Sequence, residues 1–191
     1  MKFTQEQQDL IDIFQENLLK FNKSYNLIGK STIGDFYNRH VIDSAQIVDF
    51  IENGQKKIID FGSGAGLPAI ILAILRPDCE FHLIEKSFRK GQFLSMMAEI
   101  IPNVKIFQNK IQDLQEEKYD IITARAFASL SKVLQFSQRF LTDSSKLILH
   151  KGRKFQEEIN EAKEQFRFNV EIKNSISSSE GKILIITNLC L

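Results

Sequence analysis

The stretch that decides the fold is Ile58-Ile59-Asp60-Phe61-Gly62-Ser63-Gly64-Ala65-Gly66-Leu67-Pro68. It joins a short apolar run, typical of a buried strand, to a loop with three alternate glycines. Glycines in such a turn let the backbone approach a ligand closely, and the N–H groups of the following helix start point at that ligand. The stretch therefore predicts a cradle for a nucleotide-like cofactor at the end of a strand.

The glycine spacing indicates which cofactor this cradle takes. A dinucleotide fingerprint places its third glycine one residue later, where this chain has Leu67, and gives no reason for an acid at Asp60. Glu85 closes the next predicted strand, where a carboxylate accepts hydrogen bonds from ribose hydroxyls. The pattern favours S-adenosylmethionine, bound through Gly62, Gly64, Gly66 and Glu85. For the glycines alone, a tight turn without a ligand is the alternative.

From residue 57 onwards, short β-branched and aromatic runs alternate with helical patterns. The predicted strands are 57–61, 80–85, 104–107, 119–123 and 146–150, and the predicted helices are 67–75, 87–101, 129–141 and 155–166. Strands separated by helices indicate a parallel sheet covered on both faces. Two further strands, 168–173 and 183–188, have no helix between them and should pair antiparallel. The predicted fold is an α/β, Rossmann-like, mostly parallel sheet of seven strands.

The chain before this sheet shows only helical patterns. Apolar residues from Leu10 to Phe21 recur every three or four positions, and Thr4 with Gln7 forms a capping box, which predicts a helix over 4–21. A second helical pattern covers 36–51 and stops at Asn53-Gly54. We therefore expect an N-terminal helical extension, residues 1–55, and a cofactor-binding domain, residues 56–191, in one compact unit.

Composition limits the class of protein. With 191 residues, 43% hydrophobic and 26% charged, the chain fits one compact domain with a real core, and we expect a monomer. No apolar run reaches the roughly 20 residues that span a bilayer, and no apolar signal core opens the chain, so we expect a cytoplasmic protein without a membrane partner. Cys79 and Cys190 are isolated, which argues against a disulfide framework or a metal site.

Positive charge is concentrated in one part of the chain, although the net charge is only +1. Between residues 125 and 154, Asp143 is the only acid, whereas the bases are Arg125, Lys132, Arg139, Lys146, Lys151, Arg153 and Lys154. Such a stretch predicts contacts with the phosphates of a nucleic acid. The alternative is a set of surface bases that acids elsewhere in the chain balance in space.

Other short motifs do not carry a function. Gly29-Lys30-Ser31 lacks the first glycine and the strand of a P-loop, and Phe61 stands where a nucleophile elbow needs glycine. His40, Asp43 and Ser44 share one predicted helix face, which we interpret as a polar face or a hydrogen-bonded seam.

The three prolines are not adjacent and neither cysteine is suitably placed, so methylation of adenine amines or pyrimidine carbons is disfavoured. A ring nitrogen such as guanine N7 has no proton to lose and needs no general base.

Five segments together resemble a known family in order and spacing. They are Tyr25-Asn26-Leu27-Ile28, Arg39-His40-Val41-Ile42-Asp43-Ser44, Asp60 to Pro68, Arg125-Ala126-Phe127-Ala128 and Lys151-Gly152. The chain resembles, over nearly its whole length, the bacterial ribosomal RNA small-subunit methyltransferase G family, also called glucose-inhibited division protein B. Each segment alone is common, but the five together are specific.

This resemblance implies a class I methyltransferase fold and methyl transfer to N7 of a guanine in the decoding-region loop of 16S ribosomal RNA. The implied partner is 16S ribosomal RNA or a small-subunit assembly intermediate. The implied cofactor contacts are Gly62, Leu67, Glu85, Ile111, Gln112 and Arg125, and Arg125 is also a candidate for aligning guanine with the cofactor. The expected RNA contacts are Arg125, Lys151, Arg153 and Lys154.

The chain departs from the family pattern at three positions, none of which removes a needed charge. Ala69 follows Pro68 where glycine is frequent, Ala124 replaces a usual serine, and Glu85 replaces a more frequent aspartate. Three alternatives remain open: a small-molecule or protein methyltransferase, a ribosome-assembly factor that keeps the cofactor cradle without turnover, and a nicotinamide oxidoreductase, which Leu67 disfavours.

Overall fold

The computed structural model describes residues 1–54 and 56–190. Gln55, at the predicted boundary between extension and domain, and Leu191, the final residue, lie outside the described residues. In the part that is described, no helix has both the length and the apolar character needed to cross a bilayer.

A seven-stranded sheet forms the centre of the molecule, with the strand order β3-β2-β1-β4-β5-β7-β6. The strands are β1 (Lys57–Phe61), β2 (Glu80–Ile84), β3 (Val104–Phe107), β4 (Tyr119–Arg125), β5 (Leu141–Lys151), β6 (Arg167–Asn174) and β7 (Lys182–Cys190). Strands β1 to β5 pair in parallel, and β7 is antiparallel to both β5 and β6. The predicted fold class and the predicted antiparallel pair are both confirmed.

Helices cover both faces of the sheet because neighbouring strand residues point to opposite sides. They are α1 (Gln5–Tyr25), α2 (Asp43–Ala45), α3 (Ala69–Leu75), α4 (Phe88–Ile100), α5 (Leu130–Ser137) and α6 (Phe155–Lys163). Ile58 belongs to the apolar core shared with α1, α3 and α4, whereas Ile59 belongs to the core shared with α5 and α6. The carboxyl ends of β1 to β5 meet at one edge, where the connecting loops gather.

The N-terminal helix is part of the core. Helix α3 has the sequence Ala-Ile-Ile-Leu-Ala-Ile-Leu, and its first six residues are buried. A helix that is apolar all round needs a cover on its outer side as well as on its sheet side. Helix α1 contributes Ile11, Phe14 and Leu18, each 0% exposed, to this core, and the Phe14 ring lies 6.1 Å from the Phe93 ring of α4. Thr4 caps α1 through the predicted capping box.

The predicted second helix, 36–51, is the main difference in secondary structure. The segment is divided into a π-helix (Tyr37–Ile42), α2 and a 3-10 helix (Val48–Phe50). His40, Asp43 and Gln46 make polar contacts with distant parts of the chain in this divided segment. Hydrophobic periodicity does not reveal such contacts, because it depends only on the spacing of apolar residues. Local widening of a helix of this kind is frequent near functional sites.

Candidate functional site

The glycine loop after β1 has a backbone that other residues adopt only with strain. Gly62, Gly64 and Gly66 have φ values of 67°, 59° and 82°, which L side chains rarely adopt. A Cβ atom on Gly62 would lie 2.3 Å from the Phe127 ring, so the loop and the segment after β4 approach each other closely. A Cβ atom on Gly64 would meet nothing nearer than a carbonyl oxygen at 3.7 Å. The loop is therefore tightly packed at Gly62 and open at Gly64.

Glu85 ties this loop to the end of β2. Its Oε2 accepts a hydrogen bond of 2.9 Å from the Gly64 N–H, and its Oε1 accepts one of 2.7 Å from the Ser87 N–H. The residue is 6% exposed. Hydrogen bonds from backbone N–H groups to a carboxylate are charge-assisted and hold both partners in place. Glu85 thus stabilises the loop conformation as well as lining the cavity next to it.

A cavity of about 350 Å³ opens beside Gly62 and Glu85. Ile111 and Gln112, which follow β3, form part of its wall, together with Phe127 after β4. The structure therefore brings together these four sequence-predicted residues, Gly62, Glu85, Ile111 and Gln112, around one space. The other lining residues include Phe136 and the lysines Lys86, Lys90, Lys110 and Lys132.

The remaining predicted cofactor contacts lie elsewhere. Leu67 is 4% exposed and belongs to the apolar core, and a Cβ atom on Gly66 would lie 2.5 Å from Ile70. Both residues are thus in the packed part of the loop. Arg125 lines a neighbouring cavity. None of these residues, nor Gly64, lines the first cavity, and their cofactor contacts stay predictions.

Asp60 is buried beneath the loop and has a free oxygen. Its Oδ1 accepts a hydrogen bond of 2.7 Å from the Thr123 hydroxyl, whereas its Oδ2 has no hydrogen-bond partner within residues 1–54 and 56–190. Burial raises the pKa of Asp60 to about 6, although the Thr123 hydrogen bond opposes this. A buried carboxylate oxygen without a partner fits a ligand with a cationic group, and S-adenosylmethionine has a sulfonium and an ammonium. The residues present therefore fit this cofactor.

A second cavity, of about 480 Å³, lies on the other side of the segment after β4. Ala126, Phe127 and Ala128 line both cavities. Ala126 has a positive φ of 52°, which turns the chain sharply at this wall. Arg125 and His150, at the ends of β4 and β5, line only the second cavity. Two spaces at the carboxyl edge of the sheet thus share one wall.

Asp43 connects the N-terminal segment to the second cavity. Its carboxylate accepts hydrogen bonds from Arg125 at 2.8 Å, from Gln46 at 3.0 Å and from the Ser177 hydroxyl. Its backbone oxygen accepts a bond of 2.8 Å from His150 Nε2. Burial opposes the charged form of Asp43, but its neighbours, including Ser177 and Arg125, outweigh this and lower its pKa. Asp43 is therefore an ionised centre joining four parts of the chain.

His40 belongs to the same group of side chains. Its Nδ1 lies 3.4 Å from Arg125, and its Nε2 lies 2.8 Å from the Thr32 hydroxyl. Burial and the nearby Arg125 lower the pKa of His40 to about 4, so its ring is neutral at neutral pH. Ser44 Oγ has no hydrogen-bond partner among the described residues. His40 and Asp43 thus form a hydrogen-bonded seam, as interpreted from the sequence, and Ser44 does not take part.

The predicted basic stretch is only partly available to a partner. The side chain of Lys151 is 8% exposed and forms an ion pair of 2.6 Å with Glu158, so it is not a free cation in this structure, and its predicted RNA contact stays a prediction. Arg125 is similarly held by Asp43. Arg153 pairs with Glu180, but both side chains are largely exposed, and such surface pairs contribute little. Lys154 is exposed at the start of α6. Arg153 and Lys154 remain accessible.

Three lysines of the first cavity, Lys86, Lys90 and Lys110, had no predicted role, and Lys132 was predicted only as part of the basic stretch. Lys86 follows β2, Lys110 follows β3 and Lys132 follows β4 by several residues. Because the carboxyl ends of parallel strands meet at one edge, their positions after strands were a usable signal. The role of Asp43 had no such signal, since its contacts join residues that are far apart in the chain.

The chain matches known proteins over nearly its whole length. A family model described as rRNA small subunit methyltransferase G matches residues 7–187. The ribosomal RNA small subunit methyltransferase G of Rickettsia prowazekii is 38% identical over 190 residues, which cover 99% of this chain and 98% of the relative.

Solved structures share the fold at much lower identity. A SAM-dependent methyltransferase from Aquifex aeolicus superposes with a TM-score of 0.64 at 13% identity, covering 91% of this chain and 98% of the other. Fibrillarin from Aeropyrum pernix, solved with natively bound S-adenosyl-L-methionine, gives a TM-score of 0.62 at 13% identity, covering 78% of this chain and 75% of the other.

Proposed function

Because the chain belongs to the rRNA small subunit methyltransferase G family, we propose that it transfers a methyl group from S-adenosylmethionine to N7 of a guanine in the decoding-region loop of 16S ribosomal RNA. The structural observation that best supports this function is the wall of residues 126–128, which lines both cavities. For in-line methyl transfer the guanine N7 would contact the methyl carbon of the cofactor, so a guanine held in the second cavity would reach past the edge of the Phe127 segment.

The first cavity would hold the cofactor. Gly62, Glu85, Ile111 and Gln112 line this cavity; Gly62 would allow close backbone approach, Glu85 would face the ribose, and Ile111 and Gln112 would border the adenine. Asp60, with one oxygen free, favours the cationic end of the ligand. When bound, S-adenosylmethionine supplies an electrophilic methyl group on a sulfonium. These residues would bind the cofactor and fix the position of that group.

The second cavity would position the acceptor. Guanine N7 presents a lone pair and loses no proton, so the site needs alignment and exclusion of water more than a general base. Arg125, fixed by Asp43, would orient the guanine or an adjoining phosphate. His40 is neutral near pH 7, which leaves Arg125 as the cation of this seam. The arrangement fits the absence of an obvious proton acceptor in the sequence.

The accessible bases at the same edge would contribute attraction for RNA. Arg153 and Lys154 follow β5 and are exposed, so they would contact phosphates near the second cavity. The substrate, 16S ribosomal RNA or a small-subunit assembly intermediate, would be met in the cytoplasm by a monomer of this chain.

The test is to map N7-methylguanine in 16S ribosomal RNA from cells with and without this protein, and then to restore it with purified protein and cofactor. We expect a single modified guanine to disappear and return. Naked RNA and small subunits from the deficient cells should be compared as substrates. An unchanged modification map in the deficient cells would refute the proposal and favour a small-molecule or protein acceptor.

A further inference from the structure

Four lysines surround the cofactor cavity, and each comes from a different position at the carboxyl edge of the sheet. Lys86 follows β2, Lys90 lies in the first turn of α4, Lys110 follows β3, and Lys132 lies in the first turn of α5. Lys86, Lys110 and Lys132 are exposed and Lys90 is half-buried. The fold thus gathers on one rim charges that are up to 46 residues apart in the chain (132 − 86).

These lysines lack the acidic partners that neutralise the neighbouring bases. In the part of the chain that the structure describes, none of the four forms an ion pair with a carboxylate, whereas Arg125, Lys151 and Arg153 all do. Side chains of like charge around one opening repel each other, which costs stability unless a ligand relieves it. Their arrangement therefore calls for an anionic partner.

The cofactor does not meet this need. S-adenosylmethionine has a sulfonium, an ammonium and one carboxylate, so its net charge is positive near neutral pH. Four cations around its cavity oppose its binding more than they favour it. A partner with several negative charges spaced along a chain fits the rim much better, and a nucleic acid backbone has this property.

An exposed aromatic residue lies close to two of these lysines in the chain. Phe88, at the start of α4, is 63% exposed and stands between Lys86 and Lys90 in the chain. The next residue, Arg89, lies 5.6 Å from the centre of the Tyr25 ring, which is itself 39% exposed. Aromatic faces that alternate with cations are typical of surfaces that bind unpaired nucleic acid, because any base can stack on them.

We propose that Lys86, Phe88, Lys90, Lys110 and Lys132 form an RNA-docking rim over the mouth of the cofactor cavity. The lysines bind phosphates, and Phe88 stacks on an unpaired base next to the target loop. The rim rests on the proposed function, since it assumes an RNA acceptor. It adds a second contact region, on the cofactor side of Phe127, to the bases Arg153 and Lys154 on the acceptor side.

The lysine test compares two variants with the same change of charge. The first replaces Lys86, Lys90, Lys110 and Lys132 with Gln. The control replaces four exposed bases at the opposite, amino-terminal edge of the sheet with Gln: Lys105, Lys118, Lys163 and Arg167. Binding to a 16S decoding-region RNA fragment is measured by filter binding over a range of salt concentrations, with S-adenosylhomocysteine present.

We expect the rim variant to bind RNA at least tenfold more weakly at low salt. Its slope of log affinity against log salt should become shallower by roughly 0.7 for each phosphate that a lysine no longer neutralises, or up to about 3 for four lysines. The control variant should keep nearly the original slope. Cofactor affinity, measured by calorimetry without RNA, should not fall in either variant.

Phe88→Ala tests the stacking interaction separately. Stacking of a base on an aromatic side chain contributes about 1 to 3 kcal/mol, so RNA affinity should fall roughly fivefold or more while the salt slope stays the same. Phe88→Tyr, which keeps the ring, should retain most of the affinity. If Phe88→Ala bound RNA as well as the unaltered protein, the stacking role would be wrong.

The outcomes separate this proposal from the proposed function. If the unaltered protein methylates guanine N7 in 16S ribosomal RNA and the rim variant keeps its salt slope, the rim is wrong and the function stands. Equal decreases in the rim and control variants would show only an effect of net charge, and a parallel decrease of cofactor affinity would assign the lysines to the cofactor site. Either result would refute the proposed RNA-docking role of the rim. Failure of the unaltered protein to modify the RNA would refute the function itself.

Discussion

The guanidinium of Arg125 donates a hydrogen bond of 2.8 Å to the carboxylate of Asp43, a residue 82 positions earlier in the chain. The side chains are 18% and 17% exposed, so water screens this pair only partly. The contact links the N-terminal segment to the end of β4 at the wall of the second cavity. It fixes one cation beside the proposed acceptor position.

Arg125→Ala should reduce methyl transfer more than RNA affinity. We expect kcat to fall roughly 10- to 100-fold, because small errors of alignment are costly in the transition state, while the Kd for RNA rises only severalfold. Asp43→Asn should have a smaller effect in the same direction, and the double variant should be no worse than Arg125→Ala alone. Single-turnover methylation and filter binding measure the two quantities. Equal decreases in methylation rate and in RNA affinity would show that Arg125 only contacts a phosphate.

Gly64→Val should abolish cofactor binding while the protein remains folded. The added side chain has room beside the loop, but it strains a backbone with φ of 59° and blocks the approach of backbone to ligand. Gly66→Val is the contrasting variant, since its Cβ would lie 2.5 Å from Ile70 and 3.0 Å from Leu94. It should instead lower the thermal midpoint strongly. Calorimetry with S-adenosylmethionine and thermal unfolding distinguish the two variants. Unchanged cofactor affinity in a folded Gly64→Val protein would show that the glycine loop is not the cofactor-binding cradle.

Glu85→Gln should weaken cofactor binding by about 1 to 3 kcal/mol, the usual size for removal of a charge-assisted hydrogen bond in a partly buried site. Glutamine keeps one oxygen acceptor, so it cannot serve both the Gly64 and the Ser87 N–H groups as the carboxylate does. RNA affinity should stay the same within about twofold. A variant that no longer bound RNA but kept cofactor affinity would show that Glu85 has been misassigned.

Asp60 should make stability depend on pH near 6. Burial raises its folded pKa to about 6 from the usual 3.8. For a raised pKa, stability is fully present below the unfolded value and is lost as pH rises through the folded value. The unfolding free energy of the cofactor-free protein, relative to that of Asp60→Asn, should therefore increase by about 1.4 kcal/mol between pH 7.5 and 5.

Urea unfolding of both proteins across this pH range provides the measurement for Asp60. Taking the difference between the two proteins cancels the contributions of the histidines, whose lowered pKa values act in the opposite direction. A difference that did not vary with pH would show that Asp60 titrates normally in the folded chain.

The sequence alone determined the strand and helix order of the sheet region. The alternation of β-branched runs with helical patterns is a local property, so β1 and β3 begin and end where they were predicted. The absence of a helix between residues 174 and 182 also determined the antiparallel pair β6 and β7. The glycine loop and Glu85 were recognisable because their spacing reflects backbone geometry at the ends of two adjacent parallel strands.

Tertiary structure alone decided which charges are free. Lys151 lies in a strongly basic stretch of sequence, yet Glu158 neutralises it on the folded protein. The lysines of the docking rim are scattered along the chain and gather only because β2, β3 and β4 end at the same edge. Ion pairing depends on distances through space between atoms, and composition along the chain does not contain them.

The dependence on distances through space also explains why the structure of the N-terminal segment differs from its prediction. Periodicity predicted a continuous helix over 36–51, but the structure has short helical pieces there, and Asp43 within them accepts hydrogen bonds from Arg125 and Ser177. Apolar spacing reports which face of a helix is buried and carries no information about a buried carboxylate that needs partners from other strands and loops. The local sequence thus determined the elements and the cofactor cradle, whereas long-range hydrogen bonds and ion pairs decided how the acceptor side of the site is built.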